Sequence, residues 1–329
     1  MLVKQGSEWF FGPQRVLITH LEFTDICNRH CSYCLEGNAD IHRINDAPSD
    51  ETKMVNLIEK IYRRIKPTDF MLFIIAGGEP TLQPALKAVI AKIYTRKNTE
   101  IMITTNFTQS AAFYRELNVP LITSLHLENN DVDAFLTKVE QLYDLIAHVR
   151  VMACPERFEE FKTVYAKVVQ LHTRLPLNFA CERIWPWGNG KYTPNYSAEY
   201  LDFLKTVIRG VPEYPESLQK RLQIAQGIFH VPDWWELIDG QLKKVPGRTD
   251  IFTGMHCERN LISIEKSGRL WISWCGDSTK NAFDLGELPN GLFANVVCTN
   301  PICYLGFLAA LPKYTTEDYA PEYIKSVKK

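Results

Sequence analysis

The segment RVLITHLEFTDICNRHCSYCLEG, Arg15–Gly37, joins a run of strand texture to three cysteines, Cys27, Cys31 and Cys34, spaced C-x3-C-x2-C. Arg15–Phe23 is β-branched and partly alternating, which predicts a strand and places the cysteines in the loop at its C-terminal end. A closed structural metal site asks for four protein ligands, whereas this loop offers three thiols. Either a fourth ligand arrives from elsewhere, or one coordination position is kept for an external group.

Downstream of this loop the chain alternates. Ser49–Ile65 reads as a helix with a capping serine and an acidic first turn, and Asp69–Gly78 as a buried strand ending in two glycines. Helices are expected over Gln83–Tyr94, Ser110–Leu117, Asp131–Ile146, Arg157–His172 and Ser197–Gly210, with strands over Glu100–Asn106, Pro120–Glu128, His148–Ala153 and Leu175–Ile184. Strands alternating with helices imply right-handed parallel crossovers and a sheet covered by helices. Six such units fall short of the eight that close a full barrel, so the fold class is α/β, a partial (β/α)6 TIM barrel. In parallel barrels the chemistry gathers at the C-terminal strand ends, where the cysteine loop, GGEP (Gly77–Pro80), TTN (Thr104–Asn106) and SLH (Ser124–His126) all fall.

The expected domains are the barrel at 1–185, a helical bridging segment at 186–254, a small β-hairpin-containing auxiliary-cluster domain at 255–312 and a surface tail at 313–329. The hairpin is read from two short β-rich runs within Glu258–Asp277, joined through EKSG with Gly268 available for positive φ. Cys257 precedes it and Cys275 follows it, so pairing the strands is expected to bring those thiols together; Cys298 and Cys303 complete four thiols in a short segment.

The net charge is -1, from 37 basic and 38 acidic residues, and no long block carries a single sign. This gives no sign of a nucleic-acid footprint or a polybasic membrane patch, so neither kind of partner is expected. No apolar run reaches the roughly 20 residues of a membrane span, and the first residues lack a secretory pattern, so the chain reads as cytoplasmic. Nine cysteines, seven of them in two groups, suit reduced thiolates serving metal better than a disulfide framework.

C-x3-C-x2-C after a first strand, with the aromatic Tyr33 before the last cysteine, resembles the signature of the radical S-adenosylmethionine (SAM) superfamily. The resemblance implies that Cys27, Cys31 and Cys34 hold three irons of a 4Fe-4S cluster, with the fourth iron open to SAM. Gly77, Gly78, Glu79 and Pro80 resemble the family's motif for the SAM amino group: glycines without Cβ admit backbone carbonyls close to an ammonium, and Glu79 adds a negative charge. Thr105, Asn106, Ser124 and Arg150 are the implied contacts to the methionine carboxylate or ribose. The implied reaction is reductive cleavage of SAM to a 5'-deoxyadenosyl radical that abstracts a substrate hydrogen, with electrons from a flavodoxin- or ferredoxin-type donor.

Cys257, Cys275, Cys298 and Cys303 resemble a twitch or SPASM-like auxiliary domain, and four thiolates fit one second 4Fe-4S cluster, although Gly268 to Cys275 is x6 where the family pattern has x4. Such a cluster favours net oxidation or cross-linking of a small molecule or a peptide. The leader-binding domain common in peptide-modifying relatives does not fit in the residues before the first strand.

Plainer readings stand beside these. His30 would complete a zinc knuckle, the C-terminal four cysteines would hold structural zinc, and the whole would then be a non-catalytic metal-binding scaffold. Cys154 and Cys181 read as buried thiols. His126 stands where relatives often carry an acidic residue, and His20, Glu22 and Thr24 share one face of the first strand. Trp234, Trp235, Trp271 and Trp274 read as packing.

Overall fold

The structure, a computed structural model, describes residues 2–5, 8–11, 16–34, 49–184, 194–207, 215–222, 235–238, 241–244, 256–257, 261–272, 281–290, 292, 296–297 and 313–314. Six strands follow the expected alternation: β1 (Val16–Thr24), β2 (Phe70–Gly77), β3 (Thr99–Thr105), β4 (Leu121–Leu125), β5 (Ile146–Ala153) and β6 (Phe179–Arg183). Two further strands, β7 (Leu261–Ile264) and β8 (Leu270–Ile272), form the expected hairpin. All eight lie in one sheet of order β8-β7-β1-β2-β3-β4-β5-β6. β3, β4, β5 and β6 pair in parallel, and the sheet is open, an incomplete barrel.

The helices are α1 (Glu51–Tyr62), α2 (Leu86–Ile93), α3 (Ala111–Leu117), α4 (Val132–Gln141), α5 (Phe158–Arg174), α6 (Ala198–Thr206) and α7 (Glu216–Leu222). Their apolar stripes explain their docking: α5 buries Phe161, Val164, Val168 and Leu171 at helical spacing. β2 buries Met71, Leu72, Phe73, Ile74 and Ile75 consecutively, as a strand covered on both faces must. No helix among the described residues is long and apolar enough to cross a membrane.

The chain divides into two compact units, one of residues 1–20, 59–72 and 223–329, the other of 21–58 and 73–222. In the first, Gly268 turns the hairpin at φ +87°, where a Cβ would meet Asn281 and Phe283. Lys60 there donates to the carbonyls of Ala282 (3.1 Å) and Phe283 (2.9 Å). Trp271 donates its Nε1–H to Glu265 Oε1 at 2.5 Å under the Arg269 guanidinium; Trp234 and Trp274 lie outside the described residues. In the second unit, Arg221 of α7 clasps Glu100 through Nε (2.9 Å) and Nη2 (3.0 Å), and its Nη2 also donates to Tyr94 Oη at 2.8 Å.

Several expectations are corrected. The α1 cap is Asp50, which accepts from Lys53 N at 3.0 Å, while Ser49 Oγ donates to the Phe23 carbonyl at 2.5 Å. α4 ends at Gln141, and a 3-10 turn, Tyr143–Leu145, leads into β5. Within the expected bridging segment, Trp235–Ile238 and Gln241–Lys244 pair antiparallel. Leu2–Gln5 and Glu8–Phe11 form a hairpin where no element was expected, and Lys313–Tyr314, at the start of the tail, pairs with His256–Cys257.

Candidate functional site

β1 ends at Thr24, whose Oγ1 accepts from Ile26 N at 3.0 Å and turns the chain into the cysteine loop. A tight turn, Cys34 N to Cys31 O at 3.1 Å, closes it. Cys31 and Tyr33 are buried, and Cys27 and Cys34 are half-buried. Burial first, then the nearby Cys34, Glu128 and Cys27, push the Cys31 thiol up to about 12. Burial also raises Cys27, against hydrogen bonds from Arg29 N and Asn106.

Three strand ends hold this loop. The first is GGEP. Gly78 N donates to the Thr24 carbonyl at 2.5 Å and Glu79 N to the Ile26 carbonyl at 2.7 Å. Gly77 has φ +112°, and a Cβ on it would sit on the Thr24 carbonyl oxygen; a Cβ on Gly78 would sit on that of Ile26, 2.8 Å from Asp25 C. The missing side chains are therefore what let β2 lie against the root of the cysteine loop. Glu79 is fully buried, and its carboxylate accepts from Thr81 N (3.1 Å), Thr81 Oγ1 (2.5 Å), Thr105 Oγ1 (2.8 Å) and Asn106 N (2.6 Å). Burial raises its pKa, and these donors oppose the rise. Four donors match the roughly four lone-pair sites of a carboxylate, so Glu79 works as a strut between the ends of β2 and β3. Pro80 and Thr81 are buried in the 3-10 turn that follows.

The second anchor is the end of β3. Asn106 Nδ2 donates to Asn28 Oδ1 (2.9 Å) and to Cys27 Sγ (3.5 Å), while its Oδ1 accepts from Thr108 N and Oγ1. Phe107, at φ 63°, has its ring buried beside Tyr114 and Phe135, and Lys138 caps its carbonyl at 2.8 Å. A left-handed aromatic residue is strained, and such strain clusters at functional sites.

The third anchor, residues 126–130 after β4, carries what the sequence reading missed. Glu128 accepts from Ser32 N (2.8 Å) and Ser32 Oγ (2.6 Å). The Arg29 guanidinium donates to the Asn129 carbonyl and to Asn130 Oδ1 (2.9 Å), and Asn129 Nδ2 donates to Cys31 Sγ at 3.3 Å. The Tyr33 hydroxyl pairs with His126 Nδ1 at 3.0 Å and the two rings stack, centroids 6.0 Å apart. Burial, aided by Arg29 and Arg150 and opposed by Glu128, pushes His126 down to about 4, so its imidazole is neutral at pH 7. Only the S-L-H position of His126 signals this anchor in the sequence; Glu128 closes the expected strand there, and Asn129 and Asn130 carry no local signal.

Ser124 on β4 is buried and registers with Arg150 on β5. Arg150 Nε lies 3.3 Å from Glu182 Oε1 on β6, and His148 Nε2 lies 3.8 Å from the same oxygen. Cys154 is fully buried, donates to Glu156 Oε2 at 3.2 Å and is raised to about 12 by burial and Glu156; Cys181 is half-buried on β6.

These residues fit the iron-sulfur cluster of the resemblance. Burial raises the Cys27 and Cys31 thiols, and Cys34 and Cys27 add to the rise at Cys31, which a cationic iron centre would reverse, since metal ligation needs thiolates. Amide donors already point at two of the sulfurs. Among the described residues no group of three His, Cys, Asp or Glu is placed around a single ion; a cluster asks instead for one thiolate per iron. Of the auxiliary set, Cys257 lies in the strand His256–Cys257, opposite Val296 and Lys313, and Cys275, Cys298 and Cys303 lie outside the described residues.

Residues 21–167 match the sequence model of the Radical SAM superfamily. Among solved structures, anSMEcpe with bound AdoMet is 12% identical, with 83% of this chain and 78% of that chain covered and a TM-score of 0.50. SuiB of Streptococcus suis, bound to its precursor peptide SuiA, is 14% identical over 83% of this chain and 63% of that one, with a TM-score of 0.49. The first likeness supports the barrel fold. No curated protein sequence gives a match.

Proposed function

We propose, from the match of residues 21–167 to the radical SAM superfamily model, that this chain is an enzyme that cleaves SAM reductively at a 4Fe-4S cluster held by Cys27, Cys31 and Cys34. The observation that supports this best is the convergence of three strand ends on one three-cysteine loop, through Gly78 on Thr24, Asn106 on Cys27 and Asn129 on Cys31. When bound, the cluster and SAM supply the one-electron chemistry that takes a hydrogen atom from a substrate.

The chain's own residues prepare the place. Glu79 fixes the β2 and β3 ends, Glu128 and Arg29 fix the cysteine loop from the β4 side, and Tyr33 on neutral His126 forms an uncharged wall beside it. Ser124, Arg150 and Glu182 provide polar groups on the neighbouring strands for SAM or substrate. Cys257, Cys275, Cys298 and Cys303 hold the auxiliary cluster in this reading, which favours net oxidation or a cross-link on a small molecule or peptide. A flavodoxin- or ferredoxin-type protein in a reducing, cytoplasmic compartment supplies the electrons.

Anaerobic reconstitution tests the reading. Roughly eight irons per chain, and 5'-deoxyadenosine released only with reductant, are expected. A full first cluster that leaves SAM intact would defeat it and favour a metal-binding scaffold.

A further inference from the structure

Two side-chain amides reach the cysteine sulfurs from different strand ends. Asn106 Nδ2 lies 3.5 Å from Cys27 Sγ and Asn129 Nδ2 lies 3.3 Å from Cys31 Sγ. The orientation of Asn106 is set by its neighbours: turning the amide over would put its oxygen against Asn28 Oδ1 and its NH2 against the Thr108 backbone N–H. Its backbone N–H is held by Glu79 and the Asn129 carbonyl by Arg29, so neither residue is free to swing away. Both donors are thus built into the fold and are not surface contacts.

We propose that Asn106 and Asn129 are positioning residues that set the reduction potential of the cluster, by hydrogen-bonding the sulfurs of Cys27 and Cys31. The inference rests on the proposed role of those cysteines as cluster ligands. A donor on a thiolate sulfur stabilises the form with more negative charge, and the reduced cluster carries one electron more than the oxidised one. Each amide therefore makes the cluster easier to reduce. Hydrogen bonds to charged groups are among the stronger ones, and here the donors sit in a partly buried setting.

The test is an EPR-monitored redox titration of the anaerobically reconstituted full chain, without SAM, alongside iron and sulfide analysis. Asn129→Leu is expected to cut the reduced-to-oxidised ratio at a fixed potential on the order of tenfold, about 59 mV for a one-electron couple, at unchanged iron content. Asn129→Asp, which removes the donor and adds charge, should move it further, and Asn106→Leu should move it in the same direction. Asn129→Gln, which keeps a donor, should restore part of the loss. Potentials equal to the unaltered protein in all of these would overturn the proposal. If the leucine variants lose iron, the unaltered chain labelled with 15N-asparagine decides: nitrogen couplings to the reduced cluster are expected in pulsed EPR, and their absence overturns it. Normal potential shifts with no 5'-deoxyadenosine release would defeat the proposed activity and leave this inference standing. Normal release with unchanged potentials would do the reverse.

Discussion

The backbone N–H of Gly78 donates to the carbonyl of Thr24 at 2.5 Å, which fastens the end of β2 to the residue that opens the cysteine loop. The contact exists because neither glycine of the GGEP turn carries a Cβ. Spacing of the cysteines alone cannot produce it; the loop is shaped from behind.

A methyl group at either glycine should therefore be felt at the cysteines. Gly78→Ala drives a Cβ into the Ile26 carbonyl and Asp25, and Gly77→Ala adds strain at φ +112°. Overpacking of this kind costs roughly 1–3 kcal/mol. Lower urea midpoints and reduced iron uptake on reconstitution are expected for both; normal uptake would show that the loop is shaped without the clamp.

Glu79 is expected to be sensitive out of proportion to its size. Glu79→Ala leaves the buried N–H groups of Thr81 and Asn106 without their acceptor, at a cost of about 1–3 kcal/mol each. Glu79→Gln keeps the shape but turns an NH2 toward one of the donors, so it should recover only part of the loss. Chemical denaturation of the two variants beside the parent measures the ordering; a role confined to charge would make the two losses equal.

Much of this architecture is legible in the sequence because buried parallel strands are apolar throughout and the covering helices carry a 3.6-residue stripe, as in β2 and α5. The cysteine loop, GGEP and TTN were visible as polar or glycine-bearing strand ends. What escaped was whatever depends on juxtaposition. Glu128 gains its meaning from Ser32, 96 residues away in sequence, and Asn129 from Cys31, 98 away. Asn106 directs its amide at Cys27 and Asn28, and a Cβ on Gly77 or Gly78 would meet the Thr24 or Ile26 carbonyl, contacts that spacing along the chain does not display. The left-handed turn at Phe107 has no local signal, since an aromatic residue there is held by packing that sequence does not display.

The neutral imidazole of His126 has a consequence for acid stability. An ordinary imidazole titrates near 6.5 and this one near 4, so between those values the unfolded chain binds a proton that the folded chain refuses. Stability therefore falls as pH drops from about 6.5 toward 4. At pH 4.5 the unaltered apoprotein should have lost about 2 kcal/mol more, relative to pH 7.5, than His126→Asn. Urea titrations at the two pH values check this; parallel losses in both proteins would show that carboxylates alone set the acid limit.

Far from the cysteine loop, the clasp of Arg221 on Glu100 ties α7 to β3, with Tyr94 Oη donating to the same carboxylate at 2.5 Å. Glu100 is buried, so removing the guanidinium leaves a carboxylate short of its partner in a poorly solvated place. Arg221→Ala should cost about 3 kcal/mol or somewhat more. Arg221→Lys should recover little, because a single ammonium cannot reproduce the two-pronged contact and also reach the Asn118 carbonyl, which Arg221 Nη1 holds at 2.9 Å. Thermal unfolding of both variants measures the loss. Iron uptake by the folded fraction should stay at the level of the parent, since none of these contacts touches the residues around Cys27, Cys31 or Cys34; a parallel fall in uptake would mean that α7 also steadies the cysteine loop.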